Sequence, residues 1–329
     1  MHSSTSSSRK PAGKTVVASA GLLLVAATTL GLAETATRLG AAKLGANQRH
    51  IRTEMPRNFE RLSEEASPGA ATILFLGNSH TRRSIDVEAL ETELGARTGR
   101  EVVVEIAHPD GSGLLLWYFL MRRAISEHDL RPNLLCVGFR DQALWEPNPE
   151  VSILCHQVLA KRDWAEARLL LGRDVETTLD MLASRFSATI ALHGNIKKRI
   201  LAIIIPGFEQ LAIWMRGSAD KWEIPDSPPV VLDRFMALCR LHGIEVVFWR
   251  VPTMGTLDEQ QEDISRLSDM LTDAGASYFV PFENEALGRD LFLDDESHVN
   301  QRGRTLTMFR WVDHLQAWLQ RPVAGAPSR

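Results

Sequence analysis

Cysteine is scarce in this 329-residue chain: Cys136, Cys155 and Cys239 are the only three. An odd number rules out a complete disulfide framework. Cys136 falls in an apolar strand and Cys239 in a helix, where a buried thiol serves as a small hydrophobe. The three show no metal-ligand spacing among themselves. An excess of one charge is also missing, with 37 basic against 41 acidic residues and a net charge of -4. That excludes a nucleic-acid binder of the usual basic kind. There is no block of like charge and no internal repeat. What is present is 44% hydrophobic and 24% charged, the profile of a globular protein that buries a core. The length allows one large domain or two ordinary ones.

The N-terminus reads as separate from the fold. A serine-rich lead, Ser3 to Ser8, is followed by Arg9, Lys10 and Lys14, and residues 1–14 read as a cytoplasmic tail. The 19 residues from Thr15 to Ala33 then carry no charge. At about 1.5 Å rise each they nearly match a hydrocarbon core of roughly 30 Å. The expectation is an uncleaved signal-anchor in the inner membrane with the rest of the chain exported to the periplasmic side. The alternative is a signal peptide cleaved after Gly31-Leu32-Ala33. Residues 34–69 carry Arg, Glu and Gln without a strong apolar face, end at Ser67-Pro68-Gly69, and read as a stalk. The globular domain is expected from Ala70 to Arg321, with 322–329 as a tail.

From Ala70 onward apolar runs alternate with helical patterns. Strands are expected at 72–76, 102–106, 134–138, 245–249 and 277–280. Helices are expected at 85–94, 114–126, 231–241, 258–274 and 303–319. Short buried strands alternating with helices predict an α/β fold, a three-layer αβα sandwich around a mainly parallel sheet. In such sheets the binding crevice lies beyond the carboxyl ends of the strands. Ser79, the Asp110–Gly113 turn, the Gly138–Asp141 turn and Pro252-Thr253 all follow strands directly, so they are expected to converge. Residues 145–229 interrupt the alternation with mostly helical sequence. They read either as a lid over the site or as an insertion packed on the sheet edge. Their apolar patch Ile200–Ile205 is too short to span a bilayer.

Two motifs carry chemistry. Gly77-Asn78-Ser79-His80-Thr81 places a serine where a strand gives way to a turn, its hydroxyl free to face the crevice. Asp295-Glu296-Ser297-His298 places an aspartate three residues before a histidine. A serine hydroxyl needs a base to take its proton, and a carboxylate fixes that base's tautomer. Ser79, His298 and Asp295 supply these three parts. The backbone N–H of Ser79 can face a developing oxyanion. Thr81 stands where the elbow of an α/β-hydrolase would need glycine, which argues against that family. His80 points away from its neighbour and is read as a contact to substrate or, in preference, a cap of the following turn. Asn300 is read as a turn or cap residue.

The pattern resembles the SGNH (GDSL-like) hydrolase superfamily, in particular its membrane-anchored bacterial members, over about 70–319. Gly77-Asn78-Ser79 and Asp295-Glu296-Ser297-His298 match that family's first and last blocks. The resemblance implies Ser79 as nucleophile, His298 as base, Asp295 as third member, and Asn78, His80 and Arg140 near substrate. The second block falls at Asp110-Gly111-Ser112-Gly113, where either Gly111 or Gly113 supplies an oxyanion-hole N–H. The third block departs from the family: Gly138-Phe139-Arg140-Asp141 has Arg140 where asparagine is usual. A charged, larger Arg140 either binds an anionic group or oxyanion, or impairs the hole. The resemblance implies a serine esterase or O-acyltransferase acting on acylated small molecules, glycans or lipids of the envelope, with no metal or organic cofactor. The alternative is a non-catalytic binding or assembly protein of a polysaccharide-modifying complex.

Overall fold

The computed structural model describes residues 12–40, 46–140, 144, 153–171, 175–205, 229–254, 257–283 and 285–321. Its centre is a five-stranded parallel sheet: β1 (Ala71–Leu76), β2 (Val102–Ala107), β3 (Leu134–Phe139), β4 (Glu245–Arg250) and β5 (Ser277–Phe279), in the order β2-β1-β3-β4-β5. The chain leaves β1 first to one side and then to the other, so the order reverses at β1. Crevices for ligands open at such a switch point. All six residues of β1 and all six of β3 are buried, as expected of strands covered on both faces.

Alternate strand residues feed two cores. Leu74, Leu76, Leu135 and Val137 face one side, with the helix Leu114–His128 (α5) and the helix Val230–Leu241 (α10) over them. Ile73, Phe75 and Cys136 face the other, under Val87–Thr98 (α4) and Gln301–Leu319 (α12). There Trp311 is fully buried and meets Phe75, Trp249 and Phe279 edge to face, with ring centroids 4.9, 5.3 and 4.8 Å apart. Local signals set the ends of these helices. Asp86 caps α4 by accepting from the Ala89 N–H, and Gly99 ends it in the left-handed region at φ 64°. Asn300 caps α12 by accepting from the N–H groups of Arg302 and Gly303, as its reading as a cap anticipated. Cys136, Cys155 and Cys239 are all free and buried.

The stretch expected to be a stalk is instead part of the fold. Residues 46–65 form one helical run, α2, in which α-helical turns (Ala46–Arg49, Met55–Glu60) alternate with wider π-helical turns (His50–Glu54, Arg61–Glu65). Its Ile51, Met55, Phe59 and Leu62 are buried in the same core as α5. It also covers the sheet edge. The β2 backbone would otherwise present unpaired groups there. Asn58 Nδ2 donates to the Ile106 carbonyl (2.8 Å), Arg61 donates to the Val104 carbonyl (3.2 Å), and the Glu91 carboxylate accepts from the Val104 N–H (2.6 Å).

The apolar run 15–33 lies within the helix Ala12–Gly40 (α1). The span expected there is not found: among the described residues no helix is long and apolar enough to cross a membrane. The end of α1 is tied to the insertion, where Glu34 accepts from Ser187 Oγ (2.9 Å), Ala188 N (2.8 Å) and Thr189 N (3.1 Å). The insertion's helix Trp164–Leu171 (α6) is held against α5 and α10, because Glu166 binds Tyr118, Arg122 and Arg234. That helix therefore packs on this helical layer. Residues 206–228 of the insertion lie outside the described residues.

Candidate active site

The site begins where β1 ends. Gly77 and Asn78 lead into a six-residue helix, Ser79–Ser84 (α3), which Asn78 caps by accepting from the His80 N–H at 3.1 Å. This helix sits low between β1 and β3 because two glycines leave it room. Thr81 is fully buried and its hydroxyl donates to the Gly138 carbonyl at 3.1 Å. A Cβ on Gly77 would run into the Thr81 side chain and the Gly138 carbonyl; one on Gly138 would run into Thr81 and the Trp249 ring. Glycine at these two places is thus a packing requirement, and it fixes where Ser79 stands.

The histidine comes from a tight loop before α12. The Leu293 N–H donates to the His298 carbonyl (2.8 Å), and Glu296 takes a left-handed φ of 55° at the loop's corner. Inside the loop Asp295 Oδ1 accepts from the N–H groups of Ser297 and His298, both at 3.0 Å. Asp295 Oδ2 accepts from His298 Nδ1 at 2.6 Å. Burial pushes the Asp295 carboxyl up, but these backbone and ring donors and the charge of His298 outweigh it and hold its pKa at about 2. Asp295 is therefore ionised at neutral pH and fixes the hydrogen of His298 on Nδ1. The other nitrogen, Nε2, keeps its lone pair and lies 2.9 Å from Ser79 Oγ. The serine hydroxyl donates into that lone pair, which is the arrangement that turns a hydroxyl into a nucleophile.

The second-block loop is bound to the same centre. Residues 109–112 make a turn closed by Ser112 N–H to the Pro109 carbonyl (3.2 Å), with Gly111 at φ 74° in its third position. Gly111 thus serves the turn. Asn78 Nδ2 donates to the Ser112 carbonyl at 3.4 Å, and the Trp117 indole N–H donates to Ser112 Oγ at 2.8 Å. Gly113, next in the chain, is the N-cap of α5. Of the two glycines, Gly113 adjoins the carbonyl that Asn78 holds. Arg140 directly follows β3, and its positive charge is felt by His80.

The structure brings Ser79, Asp295 and His298 of the two motifs together, and places His80 otherwise than expected. His80 does not cap the turn with its side chain. Its ring lies flat on that of His298, with centroids 4.3 Å apart and planes 9° from parallel, and its Nδ1 lies 2.9 Å from the Ser297 carbonyl. Beside it, Arg82 pairs with Asp110 at 3.1 Å. No local pattern signals the support behind Asp110. Asn47 exchanges hydrogen bonds with its backbone (2.8 and 3.1 Å), and His50 of α2 stacks on His108 at 3.5 Å. Only the fold brings α2 beside this loop.

The fold and the site together describe a parallel α/β protein with a serine–histidine–aspartate chain of hydrogen bonds at its switch point. No family model matches the chain, and no curated protein matches it. Among solved structures it is similar to the psychrotrophic esterase EstA from Pseudoalteromonas sp., at 12% identity over 76% of this chain and 99% of that one, with a TM-score of 0.39. It is also similar to LAE5, an alpha/beta hydrolase enzyme from the metagenome of Lake Arreo, Spain, at 10% identity over 78% and 99% of the two chains, with a TM-score of 0.43. With so few identical residues, what this chain can do is decided by its own side chains.

Proposed function

We propose that this chain is a serine-dependent enzyme acting on ester bonds, with Ser79 as nucleophile, His298 as base and Asp295 as the carboxylate that orients it. The observation that carries this is the unbroken relay from Ser79 Oγ through His298 to Asp295, at 2.9 and 2.6 Å. In the first half-reaction Ser79 Oγ attacks the ester carbonyl while its proton passes to His298 Nε2. The tetrahedral intermediate collapses, the alkoxide leaves with that proton, and an acyl-serine remains. A second hydroxyl, from water or an acceptor alcohol, then gives its proton to His298 and takes the acyl group. The Ser79 N–H and the Gly113 N–H are the proposed oxyanion donors. Gly113 is preferred over Gly111 because the latter is committed to the turn. Arg140 would add a charge where the resembled family has a neutral donor.

The test is fluorophosphonate labelling and p-nitrophenyl acetate hydrolysis by the full chain beside Ser79→Ala. The expected outcome is stoichiometric labelling of Ser79 and a loss of at least about 10³-fold in turnover in the variant. Full activity in Ser79→Ala would refute the assignment. The choice of acceptor, and with it hydrolysis or O-acyl transfer, is set by which hydroxyl reaches the acyl-serine. Acylated glycans and lipids of the envelope are the substrates this proposal favours. Export is part of the same proposal and rests on the sequence: the uncharged run Thr15–Ala33 behind Arg9, Lys10 and Lys14. Protection of the C-terminal domain from protease added to spheroplasts would sink that part. A second reading, binding without turnover, is favoured by Arg140, and stoichiometric labelling of Ser79 would count against it.

A further inference from the structure

Ser79 and His298 are 219 residues apart, on the helix α3 and on the 293–300 loop. Their own hydrogen bond cannot be what keeps these elements in register, because it is broken each time Ser79 attacks. Two other contacts bridge them at the site, and both come from the residue after the serine. His80 Nδ1 lies 2.9 Å from the Ser297 carbonyl, and its ring lies parallel to that of His298 at 4.3 Å. A carbonyl only accepts, so Nδ1 of His80 carries the hydrogen and the ring is held in one tautomer. Burial first, and then repulsion between its own charged form and those of His298 and Arg140, push His80 down to about 3, so it is neutral at any ordinary assay pH. The face it presents to His298 is thus an uncharged aromatic plane. When His298 takes the serine proton, the resulting imidazolium lies over that plane, an arrangement that attracts rather than repels. One face of the His298 ring is closed to water by the same contact.

We propose that His80 is a positioning residue: by stacking on His298 and holding the Ser297 carbonyl, it sets the approach of the imidazole to Ser79. The inference rests on the reading of Ser79 and His298 as nucleophile and base. It goes further in assigning a role to a side chain that touches neither the serine hydroxyl nor the carboxylate.

The experiment uses the full chain with Ser79→Ala, His80→Ala, His80→Phe and His80→Asn. It reads the rate of fluorophosphonate labelling, kcat and KM for p-nitrophenyl acetate, and Tm. Phenylalanine keeps the ring and removes the N–H; asparagine keeps a donor and removes the ring. A displacement of about 1 Å at such a site costs up to roughly 10²-fold in rate. The expected result is a fall of about 10- to 100-fold in labelling rate and kcat for His80→Ala. KM should stay within about twofold and the transition should remain cooperative, with His80→Phe recovering much of the rate. A His80→Ala chain that reacts within twofold of wild type overturns the proposal, as does a loss confined to KM. Should His80→Ala fail to fold, His80→Asn takes its place, and a wild-type rate in it is equally fatal. If the wild-type chain is not labelled at Ser79, the esterase reading itself fails. If labelling is lost in Ser79→Ala but unchanged in His80→Ala, only the role of His80 fails.

Discussion

Removing residues 46–65 should unfold the domain, although sequence composition makes them look expendable. The perturbation is a chain that starts at Ala70 compared with one that starts at Ala46. In the folded protein Ile51, Met55, Phe59 and Leu62 are only 2–6% exposed. Fully burying a side chain of this size contributes about 1.5–3 kcal/mol, so the four together contribute about 6–12 kcal/mol. That figure is an upper one, since a denatured chain already buries some of this surface. Their loss also uncovers Leu120 and Ala124 of the same core, and leaves the Val104 and Ile106 carbonyls at the sheet edge without Arg61 and Asn58. Domains of this kind are stable by about 5–15 kcal/mol in all. Guanidinium denaturation followed by circular dichroism should show a cooperative transition for the chain from Ala46 and none, or insoluble protein, for the chain from Ala70. Graded variants extend the test: Phe59→Ala should cost about 3–5 kcal/mol and Met55→Ala about 2–5 kcal/mol. A chain from Ala70 that melts cooperatively at the same midpoint would refute the reasoning.

Other outcomes follow from the site. Asp295→Asn should fold but lose about 10²–10⁴-fold in kcat, because His298 loses the acceptor that keeps its hydrogen on Nδ1; kinetics beside a Tm measurement check it. Gly77→Ala should cost about 1–3 kcal/mol and lower activity, because its Cβ would drive into Thr81 and the Gly138 carbonyl and lift α3. Stability should fall in acid, over a stated window. Burial lowers His50 to about 4 and His80 to about 3 from 6.5, so below pH 6.5 the unfolded chain binds protons that the folded chain refuses. Stability from these groups is full above pH 6.5 and is lost as pH falls toward 4 and then 3; His50 alone removes about 1–2 kcal/mol between pH 7 and pH 5. Asp295, held at about 2, adds a further loss between pH 4 and pH 2. Melting curves at pH 7, 5.5 and 4.5 check the first window, and a Tm that does not change across them would contradict it.

The strand and helix positions were legible because parallel strands covered on both faces must be apolar runs, and the helices between them carry ordinary caps such as Asp86, Gly99 and Asn300. Ser79, Asp295 and His298 were legible because the chemistry needs those residue types, and Asp295 and His298 lie within one loop. The π-helical run 46–65 was not. Its core residues, Ile51, Met55, Phe59 and Leu62, make one thin stripe among Arg and Glu, and only the edge strand they cover shows what the stripe is for. The insertion was legible as helical but not in its placement, which Glu166 sets by gathering Tyr118, Arg122 and Arg234 from two helices elsewhere in the chain.

The sequence by itself determined the strand–helix alternation and the parallel sheet it implies, and it singled out Ser79, Asp295 and His298, since each of these follows from local hydrophobic pattern or from the residue types that acyl chemistry would need. The tertiary structure alone decided the reversal of strand order at β1, the docking of α2 on the sheet edge, and the stack of His80 on His298. Those depend on contacts between residues tens to hundreds of positions apart, and no local pattern encodes which of many possible partners a side chain will meet.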